Sequence, residues 1–361
     1  MIDALIAWSL RNRFLVLSAT LLLFGWGWFA VHRVPIDAIP DLSENQVIVF
    51  ADWEGRSPQE VEDQVTHPLS VNLQGLAGVR TVRATSMFGF SIVTAIFEDK
   101  VDNYFARTRV LERLNYLGNV LPAGVVPRLG PDATGLGWVY QYYLKDTSGR
   151  HDLGELRALQ DYFVRYQLAS VPGVAEVAGI GGFVRQYQVE VSSAQLRAHD
   201  VSLADVMDAL PKNNLNVGGK TLEENGQEFV VRGRGLFENA AEIEQVAVAT
   251  RGGAPVYLRD VATVQIGGDY RRGSLDVDGH EVVGGTVVMR SGENAYRVIQ
   301  DVKARIAQIA PGLPEGVTIE PFYDRSDLIS RAIDTLKHTL WEAVILVTLV
   351  HILFLFHFRS I

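Results

Sequence analysis

Residues 46–97 read QVIVFADWEGRSPQEVEDQVTHPLSVNLQGLAGVRTVRATSMFGFSIVTAIF. Gln46–Trp53 alternates apolar and polar side chains, the period of a half-buried strand. Ser57 is a good helix N-cap, with Pro58 at the first helical position and Glu60 three residues after the cap. The helix it opens is predicted to run to about Gln74, with Val61, Val65, Leu69 and Leu73 on one face. Two strands follow, Val79–Met87 and Phe90–Phe97, joined at Gly89. Further on, Asp102 caps a second helix whose Phe105, Val110, Leu114 and Leu117 form an apolar stripe. A short strand near Val125–Leu129 then completes the order βαββαβ, the split-βαβ or ferredoxin-like motif.

The same grammar restarts downstream. Trp138–Lys145 reads as a strand, Asp152–Ser170 as an amphipathic helix and Val174–Ile180 as another strand. A strand at Val282–Arg290, a helix at Asn294–Ala310 and a strand at Val317–Tyr323 come much later. The two copies share words. Gly75-Leu-Ala-Gly-Val79 recurs as Ser170-Val-Pro-Gly-Val174, and Leu121-Pro-Ala-Gly-Val125 as Leu313-Pro-Glu-Gly-Val317. Self-similarity of this kind outweighs any single propensity. The second copy is interrupted from Gly182 to Arg271. The insert is predicted to hold strands at Val184–Val191, Glu228–Arg234, Val256–Leu258 and Ala262–Ile266, and a helix capped by Ser202. Its Gly- and Asn-rich stretch Asn213–Gly226 reads as an exposed loop or hairpin. The fold class is α+β.

Both ends are apolar. Phe14–Val31, FLVLSATLLLFGWGWFAV, has no charge over 18 positions. At about 1.5 Å per residue it spans roughly 27 Å, close to the hydrocarbon thickness of a bilayer. Arg11 and Arg13 precede it and set a cytoplasmic amino terminus, and Trp26, Trp28 and Phe29 suit the far interface. The run is longer than a signal-peptide core and no A-x-A cleavage site follows, so it is expected to stay as an anchor. At the other end, Leu340–Phe358 is long enough to cross, with Trp341 at the outer edge and Arg359 at the inner one. The residues between the two spans are then extracytoplasmic, and the abrupt end after Arg359 is expected to be a truncation.

Composition narrows the function. The 361 residues carry 33 basic and 42 acidic side chains, which gives no sign of nucleic-acid binding. Cysteine is absent, so disulfides, thiolate metal sites and thiol catalysis are excluded. Gly219-Lys-Thr221 lacks the earlier glycine of a phosphate loop, since Asn214 stands there. Gly179-Ile-Gly-Gly182 is a turn between strands rather than a dinucleotide fingerprint. No nucleophile–base constellation stands out, and no enzyme is expected.

Five stretches carry a family resemblance: Asp37-Ala-Ile-Pro-Asp-Leu-Ser43, Gly130-Pro-Asp-Ala-Thr-Gly-Leu-Gly-Trp138, Pro255-Val-Tyr-Leu-Arg-Asp260, Tyr323-Asp-Arg-Ser326 and Phe354-Leu-Phe-His-Phe-Arg-Ser360. Together they resemble the heavy-metal branch of the resistance-nodulation-division inner-membrane permeases. The Gly130–Trp138 stretch is closer to the copper and silver subgroup than to the zinc, cobalt and cadmium one. The resemblance implies a proton-driven homotrimer in the bacterial inner membrane that works with a periplasmic adaptor and an outer-membrane channel. It divides the chain into residues 1–33 (amino terminus and first membrane helix), 34–134 (first porter subdomain), 135–181 with 272–328 (second porter subdomain), 182–271 (docking subdomain) and 329–361 (start of the second membrane helix). The docking hairpin of the family reaches into the neighbouring protomer, which marks Asn213, Asn214, Asn216, Gly218, Gly219, Lys220 and Asn225 as oligomer contacts.

Candidates for a metal site are sparse. A resident cofactor is not expected, the metal ion being cargo. The resemblance places the proton relay and the main methionine site of the copper and silver subgroup beyond Ile361. Thioethers suit Cu(I), but of four methionines Met87, Met207 and Met289 fall in apolar or mixed segments and read as packing residues. Before Arg271-Arg272-Gly273, where some copper and silver members are expected to carry methionine, this chain has Tyr270. The eight histidines show no ligand spacing. His351 lies inside the second span, where an ionisable side chain is a functional candidate, and His357 lies near the helix end. Met87 and His351 remain as weak metal candidates. Two other readings stay open: a pump of the same superfamily for another metal or for amphiphilic drugs, and a bitopic sensor with a periplasmic ligand domain.

Overall fold

A computed structural model of the chain describes residues 2–355 except 32, 33, 35, 36, 38, 119 and 272. It divides into two compact units. Residues 1–148, 160–180 and 284–361 form the first, and residues 149–159 and 181–283 the second.

The first repeat closes as its sequence predicts. Strands Gln46–Asp52, Val79–Met87, Phe90–Phe97 and Arg128–Leu129 make a sheet in the order second, third, first, fourth, with neighbouring strands antiparallel. Val49 lies opposite Val93 on one side and Leu129 on the other. Helical residues 58–74 begin with a complete capping box. The Ser57 hydroxyl accepts from Glu60 N–H, and the Glu60 carboxylate accepts from Ser57 N–H. Val61, Val65, Leu69 and Leu73 are buried against Val47, Val49, Val93 and Ala95. The second helix, Asn103–Leu117, is capped by Asp102. Its buried face is Ala106, Val110, Leu114 and Leu117. Phe105 is one position out of that 3.6-residue register and lies 45% exposed, with the Arg109 guanidinium 5.0 Å from its ring. The expected fourth strand shortens to Arg128–Leu129 because Val125 is buried in the preceding turn instead.

The second repeat has the same plan. Trp138–Asp146, Val174–Gly181, His280–Met289 and Val317–Asp324 take the same sheet order. The shared words become shared turns. Leu76 N–H donates to the Leu73 carbonyl and Val79 N–H to the Leu76 carbonyl. Val171 to Leu168 and Val174 to Val171 repeat the pair. Gly78 and Gly173 hold φ of 82° and 83°, and Gly124 and Gly316 hold 86° and 87°, values that side chains disfavour. Asp152 and Glu155 form the capping box of the second copy's first helix, as Ser57 and Glu60 do in the first. Each of these helices contains a five-residue π-helical stretch, Glu62–Thr66 in one and Gln160–Val164 in the other.

The second unit has its own core of Val201, Val206, Ile243, Val246, Val256, Leu258, Val261 and Val264. Arg185–Val191 pairs antiparallel with Ala262–Gly268. Ser202 caps helix Leu203–Asn213, as expected. A strand that the sequence reading missed, Ala247–Arg251, forms a hairpin with Ala254–Tyr257, and Leu258 starts a helical turn rather than ending a strand. Val217–Glu224 pairs with Gln227–Gly233 in a two-stranded hairpin turned by Asn225-Gly226, and all its residues are exposed. The strand Leu275–Val277, also unforeseen, pairs with the start of His280–Met289.

Two helices are long and apolar enough to cross a membrane. Arg13–Val31 follows a separate helix, Ile2–Arg11. The other, Arg325–Leu355, starts well before the span expected from Leu340 and follows strand Val317–Asp324 with no loop between them. Leu21, Phe24, Trp26, Leu346 and Phe354 lie bare on these helices, an apolar surface that a soluble protein would cover. Phe358, Arg359 and His357 fall outside the described residues.

Candidate functional site

Three of the stretches that carried the resemblance meet where the two membrane helices join the repeats. Asp37–Ser43 leaves the first membrane helix, Gly130–Trp138 joins the two repeats, and Tyr323–Ser326 opens the second membrane helix. Arg325 is at their centre, only 3% exposed. Its Nη1 donates to Asp37 Oδ2 at 3.1 Å and its Nη2 to the Trp138 carbonyl at 3.0 Å. Among the described residues its Nε is buried without a hydrogen-bond partner. Next to it, Lys303 is ion-paired with Asp324 and donates to the Ser326 hydroxyl at 2.9 Å, while Ser326 N–H donates to Asp324 Oδ1. Lys303 lies on helix Ala295–Ile309, so that helix is fixed to the root of the membrane helix.

Further ties surround this centre. The Thr134 hydroxyl donates to Asp41 Oδ2 at 2.8 Å, and Ser43 N–H donates to Asp41 Oδ1 at 3.0 Å. Asn294, the N-cap of helix Ala295–Ile309, reaches the Val34 carbonyl at 3.4 Å. Asp132 accepts from Tyr104 at 2.9 Å and pairs with Arg290 at 2.9 Å. Gly137 comes so close to the Met289 carbonyl that a Cβ would sit 2.8 Å from it.

The electrostatics keep the Asp41 and Asp324 carboxylates charged. Partial burial pushes the Asp41 carboxyl up. The hydrogen bonds from Ser43 and Thr134 and the charge of Arg325 outweigh that and hold it below its ordinary range. For Asp324, burial is again opposed and outweighed, here by Lys303 and Ser326. A cleft of about 420 Å³ beside the joint is lined by Asp41, Glu44, Asn45, Asp99 and Asn103. Its acidity is partly neutralised, since Glu44 pairs with Arg80 at 2.6 Å and Arg83 at 3.1 Å. Among the described residues no group of three or more histidine or carboxylate side chains could hold a metal ion.

The residues singled out from sequence lie elsewhere and are not brought together. Met87 ends a strand at a hairpin and is 39% exposed, and Met207 is 66% exposed on the outer side of a helix whose Val206 and Ala209 face the core. Neither is the packing residue that its segment suggested. His351 sits on the second membrane helix, its Nδ1 2.9 Å from the Val347 carbonyl one turn back. In the insert, Asn213 donates to the Ala209 carbonyl at 2.8 Å. Asn214 and Asn216 accept from Phe237 N–H and Gly235 N–H, both at 3.1 Å, and thereby close the root of the hairpin. Gly218, Gly219 and Lys220 lie on its exposed first strand and Asn225 at its tip. The joint around Arg325 was missed because its partners are far apart in sequence. The available signal was that charged and small residues recur in three stretches, two beside the membrane spans and one between the repeats.

Comparison with known proteins is consistent over the whole chain. Cation efflux system protein CusA of Escherichia coli K12 is 48% identical over 362 residues, covering 100% of this chain and 35% of the relative. Cobalt-zinc-cadmium resistance protein CzcA of Cupriavidus metallidurans is 40% identical over 367 residues, covering 100% of this chain and 34% of the relative. The crystal structure of a heavy metal efflux pump superposes with a TM-score of 0.88 at 32% identity, covering 99% of this chain and 36% of that one. The chain therefore spans about a third of the length of the curated relatives it matches. Residues 5–361 match the AcrB/AcrD/AcrF family, and the chain belongs to that family.

Proposed function

We propose that these residues work within a proton-driven permease that exports heavy-metal cations, Cu(I) and Ag(I) in particular, across the cell envelope. The observation that carries this reading is the higher identity to CusA, 48%, than to CzcA, 40%, over the same residues. The Gly130–Trp138 stretch points the same way. Proton entry supplies about 2.3 kcal/mol per charge for each 100 mV, roughly 1.6 decades of concentration ratio at about 1.4 kcal/mol per decade.

In this reading residues 34–134, and 135–181 with 272–328, act as two porter subdomains, and residues 182–271 as a docking subdomain in a homotrimer that meets a periplasmic adaptor and an outer-membrane channel. Support for a hairpin contact between protomers comes from the arm itself. An isolated two-stranded hairpin is marginal in water, yet this one exposes the cross-strand pair Leu222 and Phe229.

The test is growth. The complete gene, placed in a bacterial host deleted for its own copper and silver exporters, is expected to raise the tolerated Cu(I) and Ag(I) concentrations severalfold and to leave zinc, cobalt and cadmium tolerance unchanged. Protection against zinc or cobalt alone would move the cargo to another metal. Protection against detergents or dyes alone would make the protein a pump for amphiphiles.

A further inference from the structure

We propose that Arg325 is a positioning residue that clamps the exits of both membrane helices to the second repeat, so that metal turnover depends on it and metal binding does not. The inference rests on the exporter reading above.

The second membrane helix is not hung from the repeat by a flexible linker. Strand Val317–Asp324 passes directly into helix Arg325–Leu355, and Ile329, one turn along, is 1% exposed. Arg325 and Ile329 share one face of that helix, so the helix root is part of the second repeat's core. The first membrane helix leaves differently. Between its end at Val31 and the strand starting at Gln46 the described residues hold no helix or strand. Left to itself such a segment would pivot. Among the described residues its ties include Val34 to Asn294, Asp37 to Arg325, Asp41 to Thr134 and Glu44 to Arg80 and Arg83, and of these cations Arg325 is the buried one.

The chemistry suits a clamp better than a stabiliser. A buried ion pair gains little over apolar packing, because desolvation offsets the attraction. Here one guanidinium nitrogen is also left without a partner among the described residues. What arginine adds is geometry. Its planar fork holds two acceptors at fixed positions, whereas the lysine ammonium is a point charge on a flexible stem. The fork spans Asp37, which leaves the first membrane helix, and the carbonyl of Trp138, where the second repeat's first strand begins. A displacement of either membrane helix is thus delivered to the start of strand Trp138–Asp146.

The test uses the full-length pump, wild type and with Arg325→Met, Arg325→Lys, Asp37→Asn, and Asp37→Asn combined with Arg325→Met. Ag(I) transport is followed in proteoliposomes under an imposed pH gradient, and Ag(I) binding on the solubilised protein. Arg325→Met and Asp37→Asn are each expected to lower kcat at least tenfold with KM and the Ag(I) Kd changed less than twofold. The double variant should be no slower than the slower single one. Wild-type turnover in either single variant, a double loss equal to the product of the two, or a loss residing in Kd would each overturn the clamp. If Arg325→Met does not fold, Arg325→Lys decides. A threefold or larger fall in kcat at unchanged Kd supports the clamp, and wild-type turnover sinks it. If the wild-type protein itself moves no Ag(I), the exporter reading fails separately. The clamp is then read by hydrogen exchange, in which Arg325→Lys should speed exchange of residues 39–45 at least tenfold and leave residues 46–52 unchanged. Equal exchange in both segments would refute it.

Discussion

In the first repeat the chain passes from its second strand to its third through Phe88-Gly89 alone, whereas in the second repeat the same passage runs from Gly182 to Gly279. The sheet order is nevertheless the same. The second repeat keeps it by adding a strand, Leu275–Val277, whose pairing with His280–Val282 closes the insertion point with a two-residue turn at Asp278-Gly279. The interiors differ too. Under the first repeat's π-helical turn, Thr66 shares its hydroxyl with Ser91 at 2.7 Å and Ser86 at 2.9 Å. Under the second, Tyr142 donates to Gln160 at 2.9 Å, and the Gln160 amide nitrogen is buried without a partner among the described residues. A strand-to-strand turn can therefore accept a whole domain provided the strands on either side stay paired. The polar contact between helix and sheet can change its chemistry, even at the cost of one buried amide nitrogen without a partner among the described residues.

The strongest way to break this comparison is to cut the same residue from each copy. Leu73 and Leu168 stand two positions before the shared turn words, and both are fully buried. Alanine at either is expected to cost about 2–5 kcal/mol, the lost transfer energy plus a cavity. In the full-length protein this is read as faster hydrogen exchange of the sheet in the mutated repeat, with the other repeat unchanged. Exchange that rises in both repeats together would show that they unfold as one body rather than as two similar copies.

A smaller effect separates the two interiors. Burial pushes the Tyr142 phenol far up, so it stays a donor throughout the accessible pH range. Tyr142→Phe leaves the Gln160 oxygen unsatisfied as well as its nitrogen, at a cost of about 1–3 kcal/mol. Adding Gln160→Leu removes both orphaned groups and should recover most of that loss. Apparent melting temperatures of the two variants check the order. A double variant less stable than Tyr142→Phe would mean that Gln160 contributes stability through contacts other than its bond to Tyr142.

Much of this was legible. The turn words predicted two copies of one fold because each word fixes a backbone shape: a carbonyl capture followed by a glycine at positive φ. Caps at Ser57, Asp102 and Ser202 were readable because they are local, completed within three residues. The stretch read as an exposed loop or hairpin is a hairpin, and its first strand, Val217–Glu224, was not legible as a strand because it has two glycines and no apolar alternation. The misreadings have a physical cause as well. Phe105 looked like a core residue by type, but the helical register of Val110 and Leu114 places Ala106 inside instead. The second membrane helix starts at Arg325 although Arg325–Thr339 is polar, because its root is held by Ile329 and Lys303 from another part of the chain. The joint around Arg325 is tertiary throughout, with Asp37 and Arg325 separated by 288 positions, and no local pattern announces it.

The smallest expected effect concerns the arm that only the second repeat's insertion carries. Asn225 and Gly226 hold φ of 53° and 77° at the hairpin tip, the pairing that a tight two-residue turn requires. Asparagine tolerates this region better than other side chains, so Asn225→Ala should weaken the hairpin by roughly 1 kcal/mol, and Asn225→Gly should restore it. Because the hairpin is its own two-stranded sheet, neither change should alter exchange in the sheets of the two repeats. The hairpin amides themselves should exchange faster in the alanine variant by about fivefold, the factor that ~1 kcal/mol implies. If protomers do grip the arm in the assembled protein, that acceleration will show in dissociated subunits and shrink in the assembly. An acceleration of the same size in both states would mean that the arm is free in the assembly and that its exposed Leu222 and Phe229 meet something other than a neighbouring protomer.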